Sequence, residues 1–426
     1  MSLDALPGFR EFYPSELAER NFIIGTWREV ARRYAFVEYD GPPLEPLDLY
    51  TRKSGDEIVG QLYSFADKGG REVSLRPEMT PTLARMVAAK ANSLRKPVRW
   101  FSVPQLFRYE RKQRGRLREH FQLNVDIVGE PDVTADAELL AVAIDIMRAF
   151  GLQSSDVGAR VSDRGLLRRL LVLIGIKEEL LPAVYAVVDK LEREPRESLE
   201  SKLRAVGLHA ASIRRVFDVL KHTDLTTLRE RYGEVPELRD DFTRLARYFD
   251  YLEALGIADW VEFDLSIVRG LAYYTGIVFE LFDTQRELRA ICGGGRYDSL
   301  LKQLGGTDLP ALGFGMGDVV LGELLRSKGL LPQWLPLVDV WVAYADTGLL
   351  PHAMRIARQL RDRGLSVEYA LGGQQLSRQL KAAAAAGARE VLVLQPVELE
   401  RGEAVVRRMA DGEEARVRLD EWVGAR

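Results

Sequence analysis

The chain has 426 residues, 46% of them hydrophobic and 29% charged, enough for two to four domains at roughly 100 to 200 residues each. A net charge of −3 excludes a protein that coats nucleic acid through a global positive field, so any polyanion must be met by local charge. One cysteine, Cys292, excludes a disulfide framework, and four scattered histidines without spaced cysteine partners exclude a zinc finger, which together fit a reducing cytoplasm.

No basic stretch leads into an apolar one near Met1, and nowhere do about 18 apolar residues run together, so neither export nor membrane insertion is expected. From Asn21 to Tyr34 the residues Phe22, Ile23, Trp27, Val30 and Ala31 recur at helical spacing, and Gly41-Pro42-Pro43 breaks the pattern. Between Leu62 and Leu75, and between Val98 and Val128, short alternating runs rich in Val, Phe and Tyr are divided by turn signals such as Asp67-Lys-Gly-Gly70. They predict an antiparallel sheet. From Asp163 to about Ala258 the texture changes to Leu, Arg, Glu and Ala at helical periods, an all-helical insertion. Strand texture returns from Trp260 to Phe282, Gly293-Gly-Gly295 reads as a tight turn, and Asp318 to Ser327 reads as a helix after a glycine-rich strand. Beyond Pro332-Gln-Trp-Leu-Pro336 the order is strand (Val338–Ala345), helix (Leu349–Arg363), strand (Ser366–Leu371), helix (Gln375–Ala386), strand (Glu390–Leu394), which predicts a small α/β domain with parallel strands. Its 13 basic and 13 acidic residues leave it neutral, without a charge signature for RNA. The expected division is a core of residues 1–162 and 259–331, a helical insertion of 163–258, and a C-terminal domain of 337–426.

The densest charge lies in Phe107 to Arg118, with six basic residues and one acid. An arbitrary run of this kind is a solvated hairpin. Here strand spacing puts Arg108 and Glu110 on one face, and Gly115 permits a sharp turn that folds Arg114, Arg116 and Arg118 over an anion. Guanidinium forks match phosphate oxygens. The glycine run 293–295 lacks the Gly-x-Gly-x-x-Gly or Gly-Lys-Ser/Thr pattern, so neither a dinucleotide fold nor a P-loop is expected.

Three segments, Leu75-Arg-Pro-Glu-Met-Thr80, Phe107-Arg-Tyr-Glu-Arg111 with Arg118-Glu-His-Phe-Gln122, and Val268-Arg-Gly-Leu-Ala-Tyr-Tyr-Thr-Gly276, resemble in order segments of the histidyl-tRNA synthetases. The resemblance covers nearly the whole chain. It implies an α+β class II synthetase catalytic core, an antiparallel sheet flanked by helices, with a helical insertion that clamps the tRNA acceptor arm and a C-terminal α/β anticodon-binding domain. The implied reaction joins histidine to ATP as histidyl-adenylate and transfers it to histidine tRNA, with Mg²⁺ accompanying ATP, in a cytoplasmic homodimer whose interface the segment near Gly41-Pro42 helps to build. No metal ligand from the protein is assigned.

Carried over residue by residue, the resemblance gives Arg108 and Arg269 the α-phosphate and the substrate carboxylate, and Glu110, Arg111 and Arg116 the remainder of ATP. Glu78, Thr80 and Gln122 would bind the substrate ammonium, which needs carboxylate and hydroxyl acceptors. Asp126 and Tyr274, beside Tyr273, would satisfy the two imidazole nitrogens, so a pocket that pairs both rejects apolar isosteres.

Several positions depart from the family's pattern. Val319-Val320 stand where an acid and an ATP-binding arginine are usual, Ala272 where Asp is usual, and Asp126 where Glu is usual. His120-Phe121 reverses the more frequent Phe-His order, which moves the histidine to the opposite face of its strand. A missing arginine also fits a non-catalytic relative of the family, the histidine-binding regulatory subunit of ATP phosphoribosyltransferase. The intact Arg108, Arg111, Arg116 and Arg269 favour the synthetase.

Overall fold

The computed structural model describes residues 4–51, 59–110, 117–191, 194–222, 224–268, 273–304, 306–333 and 338–426. Arg111, Arg114, Arg116, Arg269 and Ala272 therefore lie outside the described residues. The chain divides into two compact units, Met1–Pro332 and Gln333–Arg426.

In chain order the strands of the larger unit are β1 (Val37–Glu38), β2 (Leu44–Pro46), β3 (Tyr63–Ala66), β4 (Glu72–Leu75), β5 (Val98–Ser102), β6 (Gln105–Phe107), β7 (Glu119–Val128), β8 (Val157–Asp163), β9 (Val261–Phe263), β10 (Ile277–Asp283), β11 (Cys292–Arg296) and β12 (Ala311–Gly317). The main sheet runs β1-β5-β7-β12-β11-β10-β8-β9 with β6 beside β7, and β2-β4-β3 form a second small sheet. Among the described residues of this unit, β1 with β5 and β8 with β9 pair in parallel, while the interior ladders are antiparallel, as alternating runs joined by short turns require.

Among the described residues, the helices Pro14–Arg33, Thr134–Ala149 and Asp318–Ser327 pack on one face of this sheet. The helix Pro14–Arg33 buries Ile23, Ile24, Trp27, Val30 and Ala31, the periodic residues, and begins several residues before the apolar pattern does because its first turns are solvated and start from a proline. The helix Thr134–Ala149 is apolar almost all round, with Leu139, Leu140, Val142, Ile144, Ile146 and Met147 buried, because it packs both on the sheet and under other helices.

Asp163, the last residue of β8, caps the next helix by accepting from the Leu166 N–H at 2.9 Å. Helices Arg164–Leu173, Leu181–Val188, Arg196–Ala205, Ala210–Leu220, Leu225–Tyr232 and Arg239–Ala254 follow. Their apolar faces do not form a separate core: Leu166, Val184, Leu199, Val216 and Tyr248 belong to the same buried cluster as Val161, Phe279 and Leu281 of the sheet. Arg169 and Arg244 converge on the buried Asp241, and Arg244 also reaches Asp163 at 2.6 Å.

The glycine run is not a turn. Gly293, Gly294 and Gly295 lie inside β11, in the middle of the sheet. A Cβ on Gly294 would stand 2.4 Å from the Gly313 carbonyl oxygen, and one on Gly295 2.6 Å from that of Ile277. Close approach between strands, rather than chain reversal, is what excludes side chains here.

The smaller unit holds β13 (Val340–Tyr344), β14 (Val367–Tyr369), β15 (Glu390–Leu394), β16 (Glu403–Arg408) and β17 (Glu414–Arg418), ordered β14-β13-β15-β16-β17. The first three are parallel, as expected, but β16 and β17 add an antiparallel hairpin that the sequence reading left out. Half-exposed strands with charges at alternate positions, such as Glu414–Arg418, carry little apolar signal. The helix Leu350–Arg361 packs on the Val340, Val342 and Tyr344 face, and the alanine-rich helix Leu376–Ala385 on the Trp341, Ala343 and Val391 face.

Candidate functional site

The site is built on the uncovered face of β7, β12 and β11. Alternation along β7 sends His120, Gln122, Asn124 and Asp126 to one face. The ladder places Gly313 opposite Asp126 and Gly315 opposite Asn124, with Gly295 next to Gly313. A Cβ on Gly313 would meet an Asp126 carboxylate oxygen at 2.0 Å, and one on Gly315 would meet the Gln122 amide at 2.9 Å. Both the carboxylate and the amide thus lie against bare backbone, in positions that a side chain on either glycine would take.

Asp126 is buried and accepts a hydrogen bond from the Tyr297 hydroxyl. Burial pushes its carboxyl up to about 7, against the opposing pull of that hydrogen bond. Tyr297 is itself pushed well above the usual phenol range, first by burial and then by Asp126, so it stays a donor. Tyr39 behaves alike, with burial the main cause and Asp126 the next.

Glu78 reaches the same face from the loop before the helix Thr80–Lys90. Arg76 clamps that loop: its guanidinium donates to Asp40 at 2.8 Å and to the Gly41 and Gln105 carbonyls at 2.7 and 3.1 Å. Glu78 is buried and accepts from the Tyr273 hydroxyl at 3.4 Å. Tyr273 meets Tyr297 edge to face with centroids 5.8 Å apart, which joins the Glu78 and Asp126 ends of the pocket. Thr80 is half-buried at the start of the helix, two residues beyond Glu78.

Arg108 closes the other side. Its Nε donates to the Pro77 carbonyl at 2.9 Å, so the guanidinium is fixed to the loop that carries Glu78. Beyond β6 the ladder closes with one further bond, Arg108 N–H to the Arg118 carbonyl, and Glu110 N–H then turns back to the Arg108 carbonyl at 2.8 Å. That tight turn ends the strand, so Arg108 and Glu110 do not share a strand face as their spacing suggested. Arg118 stacks on Tyr109 at 4.2 Å and donates to the Glu110 carbonyl, so it shapes the hairpin instead of reaching over an anion.

The structure therefore gathers Glu78, Arg108, Gln122, Asp126 and Tyr273 on one face, with Thr80 at its rim. Tyr274 is packed on Tyr273, with centroids 5.1 Å apart, and borders a cavity against the insertion; the phenol on Asp126 is that of Tyr297. Sequence reading passed over Tyr297 and Asn124, although Tyr297 stands two residues beyond the glycine run and Asn124 shares the period of Gln122 and Asp126. His120 shares the strand face of Gln122, pairs across the ladder with Leu106, and its ring lies 4.0 Å from where a Cβ on Gly317 would stand. Burial first, and then Arg108 and Arg10, push its imidazole down to about 3, so the ring is neutral.

At Val319-Val320 the helix Asp318–Ser327 begins with two half-buried apolar residues. Asp318 is held by Arg10 at 2.8 Å and by the Phe121 N–H at 2.9 Å. Arg326, on the last turn, pairs with Glu19 at the surface, and does not supply the missing cation. Among the described residues no group of three or more His, Cys, Asp or Glu could hold a metal ion, and no helix is long and apolar enough to cross a membrane.

The raised Asp126 has a measurable consequence. An unfolded aspartate titrates near 3.9, so between about pH 4 and 7 folded Asp126 keeps a proton that the unfolded chain has lost; its contribution to stability declines as pH rises through that window. If Asp126 accepts a ligand ring N–H, as the family resemblance implies, binding expels this proton. Calorimetry at pH 6 in buffers of different ionisation enthalpy is expected to show histidine binding releasing about one proton more from the wild type than from Asp126→Asn, and no difference at pH 8. Equal release at pH 6 would remove Asp126 from ring binding.

The histidyl-tRNA synthetase family model matches residues 8–317 and an anticodon-binding domain model matches residues 339–425. The histidine–tRNA ligase of Opitutus terrae is 45% identical over 401 residues, 93% of this chain and 92% of its own. The chloroplastic/mitochondrial histidine–tRNA ligase of Arabidopsis thaliana is 42% identical over 97% of this chain and 85% of its own. The crystal structure of histidyl-tRNA synthetase from a Nostoc species superposes with a TM-score of 0.82 at 25% identity, covering 100% of this chain and 99% of that one. With a family model spanning most of its length and such relatives covering nearly all of it, the chain belongs to the histidyl-tRNA synthetase family.

Proposed function

We infer that the chain is a histidine–tRNA ligase, an aminoacyl-tRNA synthetase that activates histidine with ATP and transfers it to the 3′ end of histidine tRNA. The observation that carries this reading is a buried carboxylate for the ring set over glycine backbone (Asp126), joined through Tyr297 and Tyr273 to a second for the ammonium (Glu78), whose loop fixes a guanidinium for phosphate (Arg108).

In the first step a histidine carboxylate oxygen attacks the α-phosphorus of ATP, an acyl–phosphate bond forms, and the bond to pyrophosphate breaks. The ribose hydroxyl at the tRNA 3′ end then attacks the acyl carbonyl, and AMP leaves with the bonding pair. Neither step needs a covalent intermediate on the protein, so its work is orientation and charge stabilisation. Glu78, with Gln122 and Thr80, holds the ammonium. Asp126 accepts one ring N–H, while Tyr297, Tyr273 and Tyr274 line the ring's surroundings. Arg108 and, by the family resemblance, Arg269 draw carboxylate and α-phosphate together, and Glu110, Arg111 and Arg116 complete the ATP site. Protein groups alone do not define a magnesium cage among the described residues; Mg²⁺ is proposed to enter on the phosphate oxygens of ATP.

The smaller unit is proposed to hold the anticodon, and the active form to be a cytoplasmic homodimer, for which the resemblance of the segment through Gly41-Pro42 to the first class II motif is the support. Histidine-dependent ATP–pyrophosphate exchange tests the reading without tRNA. Exchange with histidine and not with the other amino acids is the expected result. No exchange, with calorimetric binding of histidine retained, would instead support a histidine-binding regulatory protein.

A further inference from the structure

In the smaller unit β14 parts from β13 after Tyr369, while β13 runs on beside β15 to Tyr344. The place that β14 leaves is filled by the fully buried side chain of Gln379, which accepts from the Tyr344 N–H at 3.1 Å and donates to the carbonyls of Tyr344 and Gln374, each at 2.8 Å. The buried Tyr344 hydroxyl lies 3.0 Å from the Ala370 carbonyl oxygen and 2.8 Å from that of Gly372. Carbonyls at alternate residues, 370, 372 and 374, are thus held from within by two buried side chains, and the segment beyond β14 is anchored at every second residue, as a strand is.

Leu371, between two of the held carbonyls, is 86% exposed, more than any other large apolar side chain of the described residues. Among the described residues no acceptor meets the N–H groups of residues 371 to 375. Arg378, on the first turn of the helix Leu376–Ala385, is exposed and makes no ion pair among the described residues. A Cβ on Gly373 would stand 2.8 Å from the Thr347 methyl, so the segment abuts the loop after β13, at the carboxyl edge of the parallel strands, where α/β sheets receive ligands. The unit is neutral and holds RNA by no general positive field, so recognition falls to base faces and edges, which unstacked single-stranded nucleotides offer.

We propose that the segment Ala370–Gln375 is the base-reading surface of this unit, where Leu371 covers the face of an unstacked anticodon base of histidine tRNA, the open N–H groups meet acceptors on its edge, and Arg378 meets a flanking phosphate. This rests on the ligase reading above, and the anticodon-binding model that matches residues 339–425 selects RNA as the occupant. An apolar side chain kept in water by an anchored backbone gains when a flat surface covers it, and little order remains to be imposed on binding. The amides of Gln374 and Gln375 add donors and acceptors beside the same base edge.

The test is aminoacylation of a histidine tRNA transcript by the full chain, with histidine-dependent ATP–pyrophosphate exchange measured alongside. Leu371→Ser is expected to raise the KM for the transcript about tenfold and to leave exchange, which uses no tRNA, within about twofold of the wild type. Arg378→Ala is expected to raise that KM about threefold and to lower the slope of log KM against log salt by about 0.7, the share of one single-strand phosphate. On a transcript with its three anticodon bases replaced, the wild type is expected to lose about tenfold or more, and Leu371→Ser to lose nothing further. A KM for Leu371→Ser within about twofold of the wild type, an equal further loss on the replaced transcript, or a parallel loss of exchange would overturn the proposal. Wild-type charging indifferent to the replacement would overturn the anticodon reading of the unit and this inference with it. Absence of exchange in the wild type would overturn the ligase reading on which both rest, whereas normal exchange and charging with an indifferent Leu371→Ser overturns this inference alone.

Discussion

Arg108→Ala lowers the kcat of histidine-dependent ATP–pyrophosphate exchange by about 10²-fold or more while the thermal midpoint hardly moves, the expected result of removing one preorganised charge from the transition state. The guanidinium is held by its Nε on the Pro77 carbonyl, which leaves the two terminal nitrogens as a fork. Among the described residues no carboxylate pairs with it. A fork fixed to the loop that carries Glu78 suits a phosphate whose charge grows as pyrophosphate departs, and it costs no reorganisation at that moment. The protein loses only one half-buried hydrogen bond, so folding is little affected. Arg108→Lys is expected to recover a part of the rate, because a point charge remains without the planar fork. Exchange by Arg108→Ala within threefold of the wild type would refute the assignment.

Gly313→Ala raises the KM for histidine by about 10²-fold and leaves the KM for ATP nearly unchanged, the cost of losing a charge-assisted hydrogen bond to the ring. The new methyl carbon would stand 2.0 Å from an Asp126 oxygen, 2.8 Å from its carboxyl carbon and 2.9 Å from the Val125 carbonyl oxygen. The last is strand backbone, locked in the β7–β12 ladder, so the carboxylate must swing away from the Tyr297 hydroxyl. Gly315→Ala is the control. Its methyl meets only the amide end of Gln122, at 2.9 to 3.1 Å, which a side-chain rotation relieves. A loss of about tenfold or less is expected there. If Gly315→Ala damaged histidine binding more than Gly313→Ala, the assignment of Asp126 to the ring would be wrong.

Periodicity made the helices visible wherever one face alone is buried, as in Pro14–Arg33 and Leu350–Arg361. It located the parallel strands of the smaller unit to within a few residues, because buried strands are continuous apolar runs bounded by turns. It missed the β16–β17 hairpin, whose half-solvated strands carry charges at alternate positions. The glycine run 293–295 was misread for the opposite reason: consecutive glycines signal freedom of the chain, yet here they answer a lack of space between neighbouring strands. The motifs pointed to Glu78, Arg108, Gln122 and Asp126 because charged and polar residues in those segments resemble a known family. They could not reveal that Tyr297, just past the end of β11 and far along the chain, is the phenol on Asp126.

Sequence by itself determined the class of chemistry: a chain of nearly neutral charge with one concentrated basic segment, segments resembling a synthetase family, helices where apolar residues recur every three or four positions, and a parallel-stranded domain at the end. These are local properties, set by spacing and composition. Tertiary structure alone decided which side chains meet. The register between β7 and β12 puts Asp126 over Gly313, the turn at Glu110 separates it from the strand face of Arg108, and Arg164 ties the insertion to Val268. Register, close packing and the pKa of a buried carboxyl each depend on groups distant in sequence, and no window along the chain contains both partners.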